Sequence, residues 1–128
     1  LEITEYIFIH NTKNILNIFT EIKALGVKIS LDDFGTGYSS LSYLKTFPID
    51  ILKIDKAFLD DFNSESGAIF IETIIKMAHT LMLDVVAEGV ETPAQLDYIR
   101  ELACDYYQGY LCSEPVNIQN FNALLTRQ

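Results

Sequence analysis

Acidic side chains, one lysine and one glutamine recur in this 128-residue sequence at intervals that suggest a shared site. Unpaired carboxylates are costly inside a folded protein, so several that converge on one place require a cation. A donor set that is rich in oxygen and lacks imidazole and thiolate groups favours Mg²⁺ or Mn²⁺. The candidate residues are Glu2, the pair Asp32 and Asp33, Lys53, Glu88 with Glu91, and Gln108.

The candidates fall at or just after the ends of predicted strands. Short apolar segments read as strands, and segments with helical periodicity or helix-start signals lie between them. Because a helix returns the chain to its original direction, strands that alternate with helices form a parallel sheet. The predicted strands cover residues 1–4, 27–33, 51–54, 84–87 and 106–111, and the predicted helices begin near residues 12, 39, 64, 93 and 118.

Local signals set the boundaries of two of these helices. Gly26 is predicted to end the first helix, whose apolar stripe runs from Ile15 to Leu25 and should face the core. Residues 92–95 carry a capping-box pattern with Pro93 at the first helical position, which predicts a helix start there.

The series of strand–helix units favours a particular α/β architecture. The sequence lacks a nucleotide-binding glycine fingerprint after the first strand, which favours part of a TIM-like (β/α)₈ barrel over a doubly wound sheet. About five βα units would be present, as the C-terminal portion of such a barrel. The carboxyl ends of barrel strands are where active sites form, so the candidates should meet there.

Each candidate taken singly also has a simpler explanation. An Asp-Asp pair before a glycine-rich loop can form a turn, Lys53 can be a salt-bridge partner, and Glu88 can cap a loop. Their occurrence at the same end of consecutive strands favours one site, because residues that only face solvent would be scattered to both ends.

Charge and composition exclude several classes of partner. The chain has 18 acidic and 9 basic residues and a net charge of −9, which repels nucleic acid and anionic membranes. Its apolar runs are shorter than the roughly 20 residues of a membrane span. We therefore predict no nucleic-acid polymer partner and no membrane contact by this segment. Cys104 and Cys112 are predicted to be buried thiols in a reducing, cytoplasmic location, although other domains of a parent protein could anchor it in a membrane.

Five ordered blocks of the sequence resemble the EAL-domain family. The resemblance implies a bacterial TIM-like barrel that hydrolyses cyclic di-GMP to the linear dinucleotide with Mg²⁺ or Mn²⁺. It also implies that residues 1–128 are the C-terminal part of a single EAL domain, without the N-terminal strands that carry the Glu-Ala-Leu motif. The blocks cover residues 1–5, 32–41, 52–56, 87–92 and 108–111, the last followed by Ser113 and Pro115.

The resemblance assigns catalytic roles to the acidic residues and the lysine. Glu2, Asp32 and Asp33 would be metal ligands in a two-metal site. Glu88 would bind the second metal or act as general base. Lys53 would hold the attacking water or the phosphate. Two cations would neutralise a phosphodiester and lower the pKa of a bridging water, so even a strongly acidic chain could handle an anionic substrate.

Other residues are assigned supporting roles by the same resemblance. Gln108 and Glu91 would line the substrate site. Glu5 would steady the loop after the Asp-Asp pair, a loop also linked to dimerisation in this family. The loop residues concerned are Phe34, Gly35, Thr36 and Gly37.

Two readings of the parent protein follow. Every catalytic residue that the resemblance expects in this part is present, which favours an active cyclic di-GMP phosphodiesterase. The alternative is a degenerate EAL domain that acts as a non-catalytic cyclic di-GMP sensor or protein-interaction module. Departures from the family pattern occur at Tyr6, Ala57 and Glu114, none of them a metal position. The isolated segment is expected to be inactive, and to form a homodimer or associate through exposed barrel edges.

Overall fold

Strands and helices alternate along the chain in the computed structural model, which describes residues 1–9, 12–34 and 41–126. The strands are β1 (Glu2–Thr4), β2 (Ser30–Phe34), β3 (Ile51–Ile54), β4 (Asp84–Ala87) and β5 (Tyr106–Tyr107). A 3₁₀ helix covers Glu5–Ile9, and the α-helices are α1 (Thr12–Ala24), α2 (Leu41–Thr46), α3 (Lys56–Asp60), α4 (Glu65–Thr80), α5 (Pro93–Glu101) and α6 (Ile118–Leu125).

The five strands form one parallel sheet in the order β1-β2-β3-β4-β5. Sequential neighbours throughout, with helical connections, are typical of a TIM-like barrel, whereas a doubly wound sheet reverses its strand order at a switch point. The predicted α/β fold with a parallel sheet is therefore confirmed. Among the described residues, no helix combines the length and the apolar composition that are needed to span a bilayer.

Apolar side chains from one face of the sheet and from the helices that cover it build most of the core. Leu52 and Ile54 of β3 are fully buried, as are Ile71 and Ile75 of α4. Both faces of β3 are largely shielded from solvent, which explains why its sequence is almost continuously apolar. The only charged side chain inside this strand is Lys53, and it is buried as well.

The helix boundaries follow the local signals closely. Thr92 and Gln95 make both hydrogen bonds of the capping box, and Pro93 is the first residue of α5. Ser64 caps α4 by accepting a hydrogen bond from the backbone N–H of Gly67. Gly26 follows α1 with φ +80°, a conformation that glycine adopts without steric cost.

Two predicted strand boundaries were wrong by more than one residue. β2 begins at Ser30, where pairing with β1 starts, and not at residue 27. β5 ends at Tyr107 and not at residue 111, because the following backbone bonds to the β4–α5 loop. Val90 donates to the carbonyl of Gln108, and Leu111 donates to the carbonyl of Val90.

Other differences concern exposure and one short helix. The apolar stripe predicted for α1 is only partly buried. Phe19 lies in the core, whereas Ile18 and Leu25 are exposed. Five apolar positions cover more of the helix surface than the face that packs against the core. α3 was not predicted, because five residues are too few to show helical periodicity. Cys112 is exposed and Cys104 is only half-buried, so the prediction of two buried thiols was wrong. Burial raises the pKa of the Cys104 thiol to about 11.

Candidate active site

Lys53 lies at the centre of a group of carboxylates contributed by three other strands or their ends. Its Nζ is 2.7 Å from Glu2 Oε1, 3.3 Å from Asp32 Oδ2 and 2.7 Å from Glu88 Oε1. We call these four residues the Lys53 cluster. The three acidic residues are more than 20 positions apart in sequence, and only the parallel sheet brings them together.

The register of the sheet explains this convergence. Side chains alternate between the two faces of a strand, so residues two apart share a face. Thr4 is paired with Asp32, and Glu2 is paired with Ser30, so Glu2 and Asp32 lie on the same face. Lys53 occupies the neighbouring strand β3, paired with Val86 of β4, and Glu88 directly follows β4 on that face.

One candidate does not lie where the sequence pattern placed it. Glu2 is the first residue of β1 and not one of its last, so its Cα is two residues below the level of Asp32. The long glutamate side chain makes up this offset and reaches Lys53. Asp32 and Lys53 are near the carboxyl ends of their strands and Glu88 is just past one, as predicted.

The charges in the Lys53 cluster do not balance. Three carboxylates face one ammonium group, which leaves two negative charges if all are ionised. Burial alone would lower the pKa of Lys53, but hydrogen bonds to Glu2 and Glu88 outweigh it and hold the pKa well above its usual value. The ammonium is therefore protonated at neutral pH.

Glu88 has the opposite response to burial. Its burial raises the pKa of the carboxyl group, and the Lys53 ammonium offsets this only in part. Gln108, which follows β5, donates from Nε2 to Glu88 Oε1 at 2.5 Å. Its own backbone N–H bonds to the Ala87 carbonyl, so strand pairing fixes its position. Glu88 is thus a partly buried, oriented carboxylate with a raised pKa.

The end of β2 has an unusual backbone. Asp33 has φ 56°, and the register between β2 and β3 shifts between Leu31 and Phe34. The Asp33 N–H donates to Asp32 Oδ1 at 3.0 Å. A non-glycine residue in this conformation is uncommon, and such residues concentrate at functional sites. Asp33 itself is exposed, and it directly follows Asp32 of the Lys53 cluster.

The residues predicted to form the loop after the Asp-Asp pair are only partly described. Phe34 belongs to β2 and is buried, so its assignment to the loop was wrong: its pairing with Ile54 extends the strand. Glu5 opens the 3₁₀ helix directly after β1 and is almost fully buried. Gly35, Thr36 and Gly37 lie outside the described residues.

Glu91 lies outside the Lys53 cluster. Its Oε1 is 3.0 Å from the Nζ of Lys56, the first residue of α3, which is also 3.1 Å from Asp60 Oδ1. Lys56 was not among the predicted site residues. A lysine three positions after Lys53 and four before an aspartate is the signal that could have identified it.

A cavity of about 700 Å³ opens beside Gln108. It extends from the β4–α5 loop to the inner side of α6, so its walls are partly charged and partly apolar. Its lining includes Lys56, Gly89, Glu91, Tyr110, Phe121 and Leu124.

The donor chemistry of the site fits a hard divalent cation. The side chains of the Lys53 cluster offer carboxylate oxygens with excess negative charge, which is the environment that Mg²⁺ and Mn²⁺ prefer. In the described ranges, no three His, Cys, Asp or Glu side chains are grouped so that they could hold a metal ion. The carboxylates instead surround the ammonium of Lys53, so metal binding requires some of them to turn away from it.

The sequential order of the parallel strands and the helices between them define the chain as an α/β protein of the TIM-barrel type. Its acidic side chains lie along one rim of the sheet. Residues 1–115 match the sequence model of the EAL domain, and the chain belongs to the EAL domain family.

Known proteins similar to the chain include enzymes and their complexes. The cyclic di-GMP phosphodiesterase NbdA of Pseudomonas aeruginosa is 47% identical over 117 residues, which are 91% of this chain and 15% of NbdA. The c-di-GMP complex of the PaMucR phosphodiesterase matches with a TM-score of 0.87 and 41% identity, over 94% of this chain and 49% of that one.

Metal complexes also occur among the similar structures. The manganese and cyclic di-GMP complex of Klebsiella pneumoniae BlrP1 matches with a TM-score of 0.80 and 31% identity, over 89% of this chain and 29% of that one. A calcium complex of the same protein matches too. This chain therefore spans less than half the length of each of these proteins.

Proposed function

We propose that the protein containing this chain is a metal-dependent phosphodiesterase that hydrolyses cyclic di-GMP to linear di-GMP. The observation that carries this proposal is the Lys53 cluster, in which three carboxylates with excess negative charge converge on one lysine. Membership of the EAL domain family and the similarity to a cyclic di-GMP phosphodiesterase support the substrate. We further propose that residues 1–128 form the C-terminal part of a single EAL domain.

We assign the metal ligands to the acidic residues of this rim. Glu2, Asp32, Asp33 and Glu88 would hold Mg²⁺ or Mn²⁺, and Glu5 would support the backbone that presents the Asp-Asp pair. A divalent cation bound there supplies positive charge for the phosphodiester and lowers the pKa of a coordinated water. The left-handed backbone at Asp33 supports this assignment, since non-glycine residues in this conformation concentrate at functional sites.

Lys53 and Glu88 would be the catalytic groups contributed by this chain. The protonated Lys53 can donate hydrogen bonds to a phosphate oxygen and stabilise the negative charge that develops on it. Glu88, with its raised pKa, can accept a proton from water near neutral pH better than an exposed glutamate can. Gln108 holds the Glu88 carboxylate in place, and Gln108 and Glu91 would contact the substrate from the cavity side.

Replacing Asp32 tests the proposal directly. In the complete protein with Mn²⁺, Asp32→Asn should lower hydrolysis of cyclic di-GMP by about 100-fold or more, because it removes a ligand and a charge together. Asp97→Asn on the exposed face of α5 is the matched control and should leave the rate unchanged. Near-normal hydrolysis by Asp32→Asn would refute the assignment.

A non-catalytic sensor or protein-interaction module is the second candidate. The observation that favours it is the occupation of the acidic cluster by Lys53, which satisfies the carboxylates without a metal. This candidate predicts that the complete protein binds cyclic di-GMP in calorimetry without hydrolysing it in Mn²⁺.

Other properties of the protein stay predictions. They are a cytoplasmic location, the absence of nucleic-acid and membrane partners for this segment, and a homodimer or association through the outer strands β1 and β5. Both strands are edges of the described sheet, and sheet edges favour pairing with a further chain.

A further inference from the structure

The loop between β4 and α5 is attached to α3 by a second lysine that is separate from the Lys53 cluster. Lys53 and Lys56 are three residues apart at the junction of β3 and α3. Glu88 and Glu91 are likewise three residues apart on the loop. Each lysine pairs with one glutamate of this loop, Lys53 with Glu88 at 2.7 Å and Lys56 with Glu91 at 3.0 Å. Two ion pairs therefore join the β3–α3 junction to the β4–α5 loop.

The stem of Lys56 is in close contact with this loop. Gly89, between the two glutamates, has φ +68°, and a Cβ atom added there would lie 2.6 Å from Lys56 Cβ. The loop backbone thus approaches the lysine stem as closely as a residue without a side chain permits. Asp60 holds the Lys56 ammonium from the α3 side, at 3.1 Å.

The rest of the loop is fixed by hydrogen bonds on its other side. The N–H groups of Glu91 and Thr92 both donate to Gln95 Oε1, and the N–H of Val90 donates to the Gln108 carbonyl. On the side that faces α3, two contacts keep the loop from moving away from that helix. They are the contact of Gly89 with the Lys56 stem and the ion pair between Glu91 and Lys56.

We propose that Lys56 is a positioning residue that clamps the β4–α5 loop onto α3 and so sets the place of the Glu88 carboxylate beside Lys53. The role of Glu88 rests on the proposed phosphodiesterase function, whereas the clamp itself does not. Lys56 acts through Glu91 and Gly89, and its ion pairs are with Glu91 and Asp60 and not with members of the Lys53 cluster.

Amide hydrogen exchange of the complete protein measures the clamp without reference to activity. Lys56→Met keeps most of the stem but removes the charge, and should speed exchange of the Val90 and Glu91 amides about fivefold, the range expected for an exposed ion pair. Lys56→Arg should restore the wild-type rate. Lys76→Met, which removes an exposed pair with Glu72 on α4, is the matched control and should have no effect on the loop.

Two further variants separate the clamp from the stability of α3. Asp60→Asn removes the other partner of Lys56 but keeps the pair with Glu91, so exchange in the loop should change less than in Lys56→Met. Adding Glu91→Gln to Lys56→Met should cause no further increase, because both changes break the same pair. Unchanged loop exchange in Lys56→Met, or an equal increase in Asp60→Asn, overturns the clamp.

Steady-state kinetics test the consequence for Glu88. With Mn²⁺ and cyclic di-GMP, Lys56→Met should lower kcat about tenfold with KM within about twofold, and Lys56→Arg should recover kcat. Faster loop exchange with an unchanged kcat overturns the link to Glu88. A wild-type protein without hydrolysis refutes the proposed function, while the exchange data still decide whether Lys56 holds the loop.

Discussion

Replacing Lys53 by methionine should destabilise the protein strongly at neutral pH. Methionine keeps the length and apolar character of the stem and removes only the ammonium group. Lys53 is 5% exposed, so water has little access to the place that its ammonium group would leave. The three carboxylates would then face each other without a cation.

The magnitude depends on how exposed each partner is. The side chains of Glu88 and Asp32 are 16% and 24% exposed, whereas that of Glu2 is 63% exposed. Breaking a buried pair costs about 3–5 kcal/mol, and breaking an exposed one less than about 1 kcal/mol. Because the acidic partners are only partly buried, we expect Lys53→Met to lower the free energy of unfolding by about 3 kcal/mol, near the lower limit for buried pairs.

The effect should depend on pH in a defined direction. The raised pKa of Lys53 means that its stabilising contribution is fully present below its ordinary pKa of 10.5 and is lost only as the pH rises through the higher folded-state value. Glu88 also has a raised pKa, so its contribution is present below 4.5 and is lost as the pH rises through its folded-state value. Protonation of the carboxylates in acid removes the repulsion in the variant.

Urea unfolding followed by circular dichroism measures this effect in the complete protein with a chelator present. The difference between wild type and Lys53→Met should shrink to less than about 1 kcal/mol near pH 4, where carboxylates begin to protonate. Lys76→Met should cost less than about 0.5 kcal/mol at either pH. A cost for Lys53→Met that is below about 1 kcal/mol at neutral pH, or that does not change with pH, would refute the reasoning.

Two other predictions concern residues outside the Lys53 cluster. Gly109→Ala should lower the free energy of unfolding by more than about 2 kcal/mol, since an added Cβ would overlap the Val90 backbone. Gly26→Ala, where no atom lies near, should cost only about 1 kcal/mol; equal costs in thermal unfolding would contradict the overlap. Asp105→Ala should cost about 2 kcal/mol near neutral pH, because Asp105 Oδ2 accepts from Val85 N and pairs with His79 Nε2. Burial alone would raise the Asp105 pKa, but these partners lower it, so its contribution is present above 3.8 and is lost as the pH falls through the folded value. A urea-unfolding cost that persists in strong acid, or that Asp97→Ala reproduces, would contradict this.

The order and type of most elements follow from the sequence alone. β3 and β4 have the predicted bounds, α6 begins at the predicted position, and α5 begins at the predicted capping box. These features depend on neighbouring residues, namely apolar runs, cap side chains and proline, which act within one turn of helix or one strand. The ordered blocks of polar residues also identified the family, since residue type and spacing are properties of the chain itself.

Which side chains meet was decided by the tertiary structure. Glu2 reaches the Lys53 cluster from the start of β1, because the parallel register places it on the face of Asp32 and its length spans the offset. Glu91, expected beside Gln108 in the substrate site, pairs with Lys56 of α3. The sequence pattern did not predict this helix. Register between strands and the approach of one loop to another are non-local, and no pattern of neighbouring residues encodes them. For that reason the sequence identified the charged groups of this site, but only the folded sheet determined that a buried lysine holds three of them together.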